Sequence, residues 1–239
     1  MTSFWTRTDA TVMGDMVSRA PALRLVGEIR DLRVAELGCG SGWFTRRLED
    51  AGARAFGCEV DPQSVFESKP GRIAMMNARC MGYRSNAFDV VFAVGVLGLE
   101  RPSIERRILR EAARIVRHEG VVIIAVTHPS LYAPGSASRS GARNWVMHKP
   151  VYAKPAGFSQ PFEERYVRSD GEVLTWTVWS HPAAFYRAAI TAAGLVIEAE
   201  EEPRVTTKML ETCSQWGTKD GDPAVLLFKA RKVRTGHVQ

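Results

Sequence analysis

The sequence predicts an α/β fold, a mostly parallel sheet covered by helices on both faces, and three observations carry that prediction. Arg33–Leu48 reads as a short apolar strand, a turn holding Gly38, Gly40 and Gly42, and a helix with Phe44, Thr45 and Leu48 recurring at helical spacing. Strand, glycine turn and helix together open a βαβ unit. Short apolar runs then alternate with amphipathic stretches as far as Val126, the pattern of strands buried on both faces. After an irregular stretch the same rhythm returns as a helix and a strand between His181 and Ala199. A chain of 239 residues can bury one sizeable core, so a single domain over residues 1–239 with an insertion is the simplest organisation.

The elements follow in order. Before Arg33, Met13, Met16 and Val17, then Leu23, Leu25, Val26 and Ile29, fall at roughly helical spacing. Pro21 divides this stretch or starts its second half. The helix after the glycine turn runs to about Ala51 and stops at Gly52. Ala53–Val60 is the second strand, and Asp61 with Pro62 starts the next helix as N-cap and first-turn residue. Residues 71–76 give a short third strand, and Ser85–Val94 a fourth, with Phe88 in the core and Asp89 satisfying nearby backbone. Ile104–Val116 is an amphipathic helix with Ile104, Ile108, Leu109, Ala112 and Ile115 on one side. Arg117 and His118 suit its last turn, and Gly120 is expected to end it. Val121–Val126 is the fifth strand. Later, Phe185, Ala188, Ala189 and Ala192 face inward on a helix capped by Gly194, Leu195–Ala199 is a sixth strand, and Ala224–Ala230 is the last.

The glycine turn narrows the ligand. Three missing Cβ atoms let a ligand lie against backbone, and the helix N-terminus beyond offers unpaired N–H groups. A dinucleotide fingerprint needs Gly-x-Gly-x-x-Gly. Here that last position is Trp43, and the third glycine comes one residue early. Glu36 stands in the apolar strand two residues before Gly38, where a carboxylate is costly unless paired. The pattern Glu-x-Gly-x-Gly-x-Gly resembles motif I of the class I S-adenosylmethionine-dependent methyltransferases. Phe88-Asp89, Thr127-His128-Pro129 and the run from His181-Pro182 to Pro203 are similar to later segments of the small-molecule members. The resemblance covers most of Trp5–Pro203 and is weakest in Ser130–Asp170.

The resemblance implies a Rossmann-like seven-stranded sheet in the order 3-2-1-4-5-7-6, with the last strand antiparallel. It implies that Gly38, Cys39, Gly40 and Gly42 hold the methionine part of S-adenosylmethionine, with Glu36 supporting it. Trp5 or Met13, on an N-terminal helix, is then a cover for the cofactor or a plain hydrophobic anchor. Glu59 closes the second strand 21 residues after Gly38, the spacing at which a carboxylate accepts from ribose hydroxyls. Val60 follows it, and Asp61 competes for the role. Where the family has an acidic residue for the adenine amino group, this chain has Asn77, whose amide can still accept and donate. Ala78 joins it, and Arg79 is an alternative that stacks on the ring. Val94 and Leu97, at the carboxyl end of the fourth strand, are expected beside the cofactor.

From Pro129 to Ser180 glycines, prolines and aromatics replace the α/β rhythm. Asp170-Gly171 between Arg165–Arg168 and Val173–Trp179 signals a hairpin. An insertion after a strand at the catalytic edge suits a lid or specificity wall over residues 129–180. Its aromatics either stack on a flat substrate or form the hairpin's own core.

Methyl transfer needs the acceptor held in line and water kept out, and a base only where the acceptor retains its proton. The candidates near the carboxyl edge are His128, His181 and Tyr166, with His148 after them. For His128 the alternative is a loop imidazole bonded to backbone, and for His181 a helix N-terminal residue. Arg143 is either a ligand for an acidic substrate group or an exposed loop residue. The expected reaction is methyl transfer to oxygen or nitrogen, with carbon a further option, of a small aromatic or heterocyclic metabolite. The alternatives are an RNA or protein methyltransferase, and a cofactor-binding protein without catalysis.

A net charge of +6 raises the question of nucleic acid. The basic residues are scattered, and those in Arg101–Arg117 alternate with Glu105 and Glu111, so a solvated helix face is expected. The Asn-Pro-Pro-Tyr or Asp-Pro-Pro-Tyr run of base N-methyltransferases and the Pro-Cys nucleophile of cytosine chemistry are both missing. No apolar run is long enough to span a bilayer, and Arg7, Asp9 and Asp15 interrupt any leader-like stretch. Cys39, Cys58, Cys80 and Cys213 form no C-x-x-C pair or metal spacing. Reduced thiols, a cytoplasmic location, no metal, and a monomer or homodimer are expected.

Overall fold

A computed structural model describes residues 15–67, 72–98, 100–132, 145–147, 159–167, 173–212 and 220–234. A π-helical turn, Asp15–Arg19, leads into α1 (Ala20–Val26), which has Pro21 in its first turn. There follow β1 (Arg33–Leu37), α2 (Trp43–Asp50), β2 (Arg54–Glu59), α3 (Pro62–Glu67), β3 (Ile73–Met75) and β4 (Phe88–Val94). Then come α4 (Pro102–Ile115), β5 (Val116–Thr127), β6 (Trp145–Met147), β7 (Gln160–Val167) and β8 (Val173–Ser180). The chain continues with α5 (Ala183–Ala192), β9 (Leu195–Glu201), α6 (Thr207–Thr212) and β10 (Val225–Lys232).

Seven of these strands make one sheet in the order β3-β2-β1-β4-β5-β10-β9. The strands β1 to β5 pair in parallel, and β10 runs antiparallel to both β5 and β9. Since β9 and β10 are the sixth and seventh strands of this sheet in chain order, the expected order 3-2-1-4-5-7-6 is the one observed. Alternation along β4 explains the two cores. Val91 and Ala93 face the layer of α4 and α5, while Val90, Phe92 and Val94 face α1 and α2. The same alternation in β1 sends Ala35 and Leu37 to the first layer and Val34 to the second. Glu36 therefore shares the side of Val34, toward α2.

The end of α4 differs from the expectation. The helix stops at Ile115, and Val116 is already extended, at φ −69° and ψ 140°. Arg117 and His118 lie in β5 instead of a last helical turn. Two nonlocal contacts explain this: Phe88 pairs with Val116, and Arg117 Nε donates to Asp89 Oδ1 at 2.5 Å. Gly120 is not a helix cap. A Cβ there would lie 2.7 Å from the Asp89 carbonyl oxygen, so the residue permits two strands to close up. Asp89 also accepts the Arg33 N–H at 2.8 Å, the backbone role expected of it.

A second sheet, β6-β7-β8, lies within the segment from 129 to 180 and is antiparallel throughout. Its β7–β8 pair is the expected hairpin, begun earlier, at Gln160, and its β6 was not anticipated. The Asp170-Gly171 turn, Trp5, Met13, Arg143, His148 and Cys213 lie outside the described residues. Cys39, Cys58 and Cys80 are free thiols. Among the described residues no helix is long and apolar enough to cross a membrane.

Candidate functional site

The site is built at the carboxyl ends of β1, β2 and β4. Gly38, Gly40 and Gly42 all take positive φ, at 66°, 53° and 75°. Gly38 is required twice over, because a Cβ there would also lie 2.8 Å from Val96 Cγ2. Below the turn, Glu36 is 1 % exposed. Thr45 Oγ1, in the first turn of α2, donates to Glu36 Oε2. Room for this contact comes from Gly57, the partner of Glu36 in β2; a Cβ at Gly57 would meet Cys39 Sγ at 2.6 Å and Thr45 Oγ1 at 3.0 Å. Burial pushes the Glu36 carboxyl up to about 7, with the Thr45 hydrogen bond and the Arg19 charge pulling the other way. Its Oε1 is buried and has no hydrogen-bond partner among the described residues.

Arg19 was not singled out by the sequence. Its guanidinium pairs with Asp15 at 2.8 Å and lies 5.9 Å from the Trp43 ring centroid and 5.8 Å from that of Phe44. The π-helical turn thus packs over the start of α2. Cys39 is buried beside Glu36, and burial first, then the neighbouring carboxylates, hold its thiol well above the ordinary range. It is an inert thiol here.

Glu59, at the end of β2, is 8 % exposed. Its Oε2 accepts the Gly40 N–H at 2.9 Å, and its Oε1 accepts the N–H groups of Val60 at 2.6 Å and Asp61 at 2.9 Å. Asp61 is used differently. Its carboxylate accepts the N–H groups of Gln63 and Ser64 and the Ser64 hydroxyl, at 3.2, 3.1 and 2.6 Å, which makes it the N-cap of α3. Val60 is 61 % exposed beside the Glu59 carboxylate, an apolar surface at the mouth of the site.

Asn77 and Cys80 form an isolated bridge, and Asn77 Oδ1 accepts the Arg79 N–H at 2.9 Å. Asn77 is exposed, with Ala78 half-buried next to it. Arg79 pairs with Glu100, so its guanidinium is held by the loop after β4. In that loop Gly95 has φ 74° and nothing within 4 Å of where a Cβ would sit, whereas Val94 and Leu97 are 3 % and 2 % exposed and belong to the two cores.

The acid–base candidates fall in different settings. His128 follows β5 and is tied by its N–H to the Ala224 carbonyl at 3.0 Å. Its Nδ1 accepts the Ser130 N–H at 3.2 Å and lies 2.7 Å from Ser130 Oγ. Its Nε2 is 3.5 Å from Glu202 Oε1. A ring nitrogen that accepts from backbone leaves the proton of the neutral ring on Nε2, toward the carboxylate. His181 is enclosed: its side chain is 0 % exposed, and Nε2 donates to the Glu100 carbonyl at 2.9 Å. It meets no open surface. Tyr166 lies in β7, opposite Leu174 and Trp145.

Glu105, expected with its basic neighbours on a solvated helix face, departs from that expectation. It is fully buried in the first turn of α4, although Ile108, Leu109 and Ala112 at helical spacing already mark its side of the helix as the inner one.

Residues 35–124 match the family model of the methyltransferase domain. A search of curated proteins gives no match. Among solved structures, the chain is similar to an S-adenosylmethionine-dependent methyltransferase from Mesorhizobium loti, at 18 % identity and TM-score 0.62, over 91 % of this chain and 99 % of that one. It is similar to the sugar N-methyltransferase from a Streptoalloteichus species, at 18 % identity and TM-score 0.61, over 96 % and 90 %. It is also similar to the 1,6-didemethyltoxoflavin-N1-methyltransferase of Burkholderia thailandensis, crystallised with its substrate and S-adenosylhomocysteine, at 14 % identity and TM-score 0.54, over 95 % and 80 %. At these identities the structures establish a shared fold. The turn of bare backbone, where a Cβ on Gly38 would collide with Val96, suits the amino-acid end of S-adenosylmethionine, whose carboxylate can accept from backbone N–H groups.

Proposed function

We propose that this chain, which carries a class I S-adenosylmethionine-dependent methyltransferase domain, methylates an oxygen or nitrogen atom, with carbon a further option, of a small aromatic or heterocyclic metabolite. The observation that carries the reading is the meeting, at one sheet edge, of the Gly38–Gly42 turn, the open backbone at Gly95 and the His128–Ser130 pair. The bound cofactor supplies a methyl group already activated on sulfonium sulfur.

On this reading, the turn and Glu36 hold the amino-acid end, and Glu59 with Val60 holds the ribose. Oε2 of Glu59 takes one backbone N–H and keeps a lone pair for a hydroxyl. Asn77, Ala78 and Arg79 border the adenine. The task left to the chain is to set the acceptor in line and exclude water. Where the acceptor holds a proton, Ser130 Oγ is the exposed end of a relay into His128 Nδ1, and Glu202 beyond Nε2 stabilises the imidazolium. Tyr166 stays a candidate on the β7 side. The Burkholderia protein is named for a small molecule and the Streptoalloteichus protein for a sugar, which supports a small-molecule acceptor, and a place in secondary metabolism is part of the same proposal. The free thiols support a cytoplasmic protein, acting as a monomer or homodimer.

The test is incubation of the purified protein and methyl-labelled S-adenosylmethionine with an extracted metabolite pool, in parallel with RNA and protein fractions. A labelled small molecule is expected. Label in RNA or protein would replace the acceptor class, and tight cofactor binding with no label anywhere would favour a non-catalytic binder.

A further inference from the structure

We infer that Glu105 and His181 are positioning residues, a buried pair that fixes the loop after β4 against the cofactor cradle and joins it to the end of β8. Glu105 Oε1 accepts the Gly98 N–H at 2.6 Å and the Glu100 N–H at 3.2 Å. His181 Nε2 donates to the Glu100 carbonyl at 2.9 Å and stands 3.5 Å from the same Glu105 oxygen. One carboxylate and one imidazole thus hold both backbone groups of Glu100.

The pair is an expensive way to fill a core. Both side chains are 0 % exposed, and each leaves one buried atom, Glu105 Oε2 and His181 Nδ1, without a hydrogen-bond partner among the described residues. Buried polar pairs with unmet atoms are commonly matched or bettered in stability by apolar side chains of the same volume. Stability alone therefore does not account for them. Geometry does, because the loop they hold touches the site in two places. Val96 packs over Gly38, and the Glu100 carboxylate holds the Arg79 guanidinium. The imidazole plane is itself fixed, stacked on Phe185 with centroids 4.3 Å apart and meeting Tyr186 edge-on at 5.8 Å. His181 directly follows Ser180, the last residue of β8, so the small sheet and the loop share one anchor.

The link to cofactor binding rests on the reading of the glycine turn given above; the tether itself does not. The test compares wild type with Glu105→Leu, Glu105→Gln, His181→Leu and His181→Gln by hydrogen exchange without ligand and by calorimetry with S-adenosylhomocysteine. Both leucine variants are expected to exchange the Gly98 and Glu100 amides at least about tenfold faster and to bind S-adenosylhomocysteine about tenfold more weakly, the range of one lost buried hydrogen bond. The glutamine variants, which keep an acceptor or a donor in place, should recover most of both. Unchanged exchange at Gly98 and Glu100 in the leucine variants overturns the tether, and changed exchange with unchanged affinity overturns its link to the cradle. If the leucine variants do not fold, wild type decides: S-adenosylhomocysteine must slow exchange in residues 95–100 and in 173–182 together, and slowing confined to one of them overturns the inference. A wild type that binds no S-adenosylhomocysteine removes the cofactor reading, and the ligand-free exchange then still decides the tether.

Discussion

The backbone N–H of Gly40 donates to Glu59 Oε2 at 2.9 Å. The carboxylate proposed for the ribose therefore also fixes the turn proposed for the amino-acid end. Replacing Glu59 with alanine removes this bond and the two from Val60 and Asp61. Glu59→Ala is expected to weaken S-adenosylmethionine binding by ~1–3 kcal/mol, measured by calorimetry. An unchanged dissociation constant would take Glu59 out of the site.

Glu36 sets a pH dependence. Its carboxyl is raised by burial from an ordinary 4.5 to about 7, so the folded state binds its proton more tightly than the unfolded chain does. The stabilisation is fully present below pH 4.5 and is lost as pH rises through 7, amounting to about 3 kcal/mol when complete. Melting temperatures of ligand-free protein between pH 5 and 8 should fall more steeply for wild type than for Glu36→Gln, which cannot ionise. Parallel curves would show that the carboxyl titrates normally.

Gly38→Ala combines a left-handed backbone, φ 66°, with a methyl group 2.8 Å from Val96 Cγ2. Val96 is branched at Cβ and has little freedom to turn away. A loss of about 1–3 kcal/mol of stability is expected from the strain and crowding, with weaker cofactor binding as the loop is displaced. Denaturant melts and calorimetry on the same sample test both, and wild-type values in each would mean the turn tolerates a side chain.

His128→Ala should lower turnover by about 10²–10⁴-fold if the imidazole is the base, while S-adenosylmethionine affinity stays near wild type. Ser130→Ala should reduce turnover in the same direction, since it interrupts the contact to Nδ1. Once an acceptor is known, single-turnover rates measure this, and a wild-type rate for His128→Ala ends its role in the chemistry.

The parts of this protein that were legible from its residues are those decided locally. Glycine turns declare themselves because no other residue tolerates both the left-handed backbone and the close neighbour, as at Gly38. Asp61 before Pro62 reads as a cap because capping is a matter of four successive residues. The end of α4 was misjudged for the opposite reason: Arg117 has a good helix C-terminal pattern but a better partner in Asp89, which the chain brings near only after β4 and β5 pair. Glu105 was grouped with its charged neighbours as a solvated face, because the partner that accounts for its burial, His181, lies far along the chain. The strand order came through resemblance, since periodicity alone gives no register between β5, β9 and β10.

The position of β10 has a consequence for how the protein is made. It is the last strand in chain order among the described residues, yet it lies between β5 and β9, as a central plank and not a border. On the ribosome, β9 has no neighbour to dock on until Val225–Lys232 emerges, and its exposed edge must wait for translation to deliver it. Premature release before that point would leave a five-stranded sheet and a lone β9, each with an open edge, the kind of species that chaperones are obliged to shield.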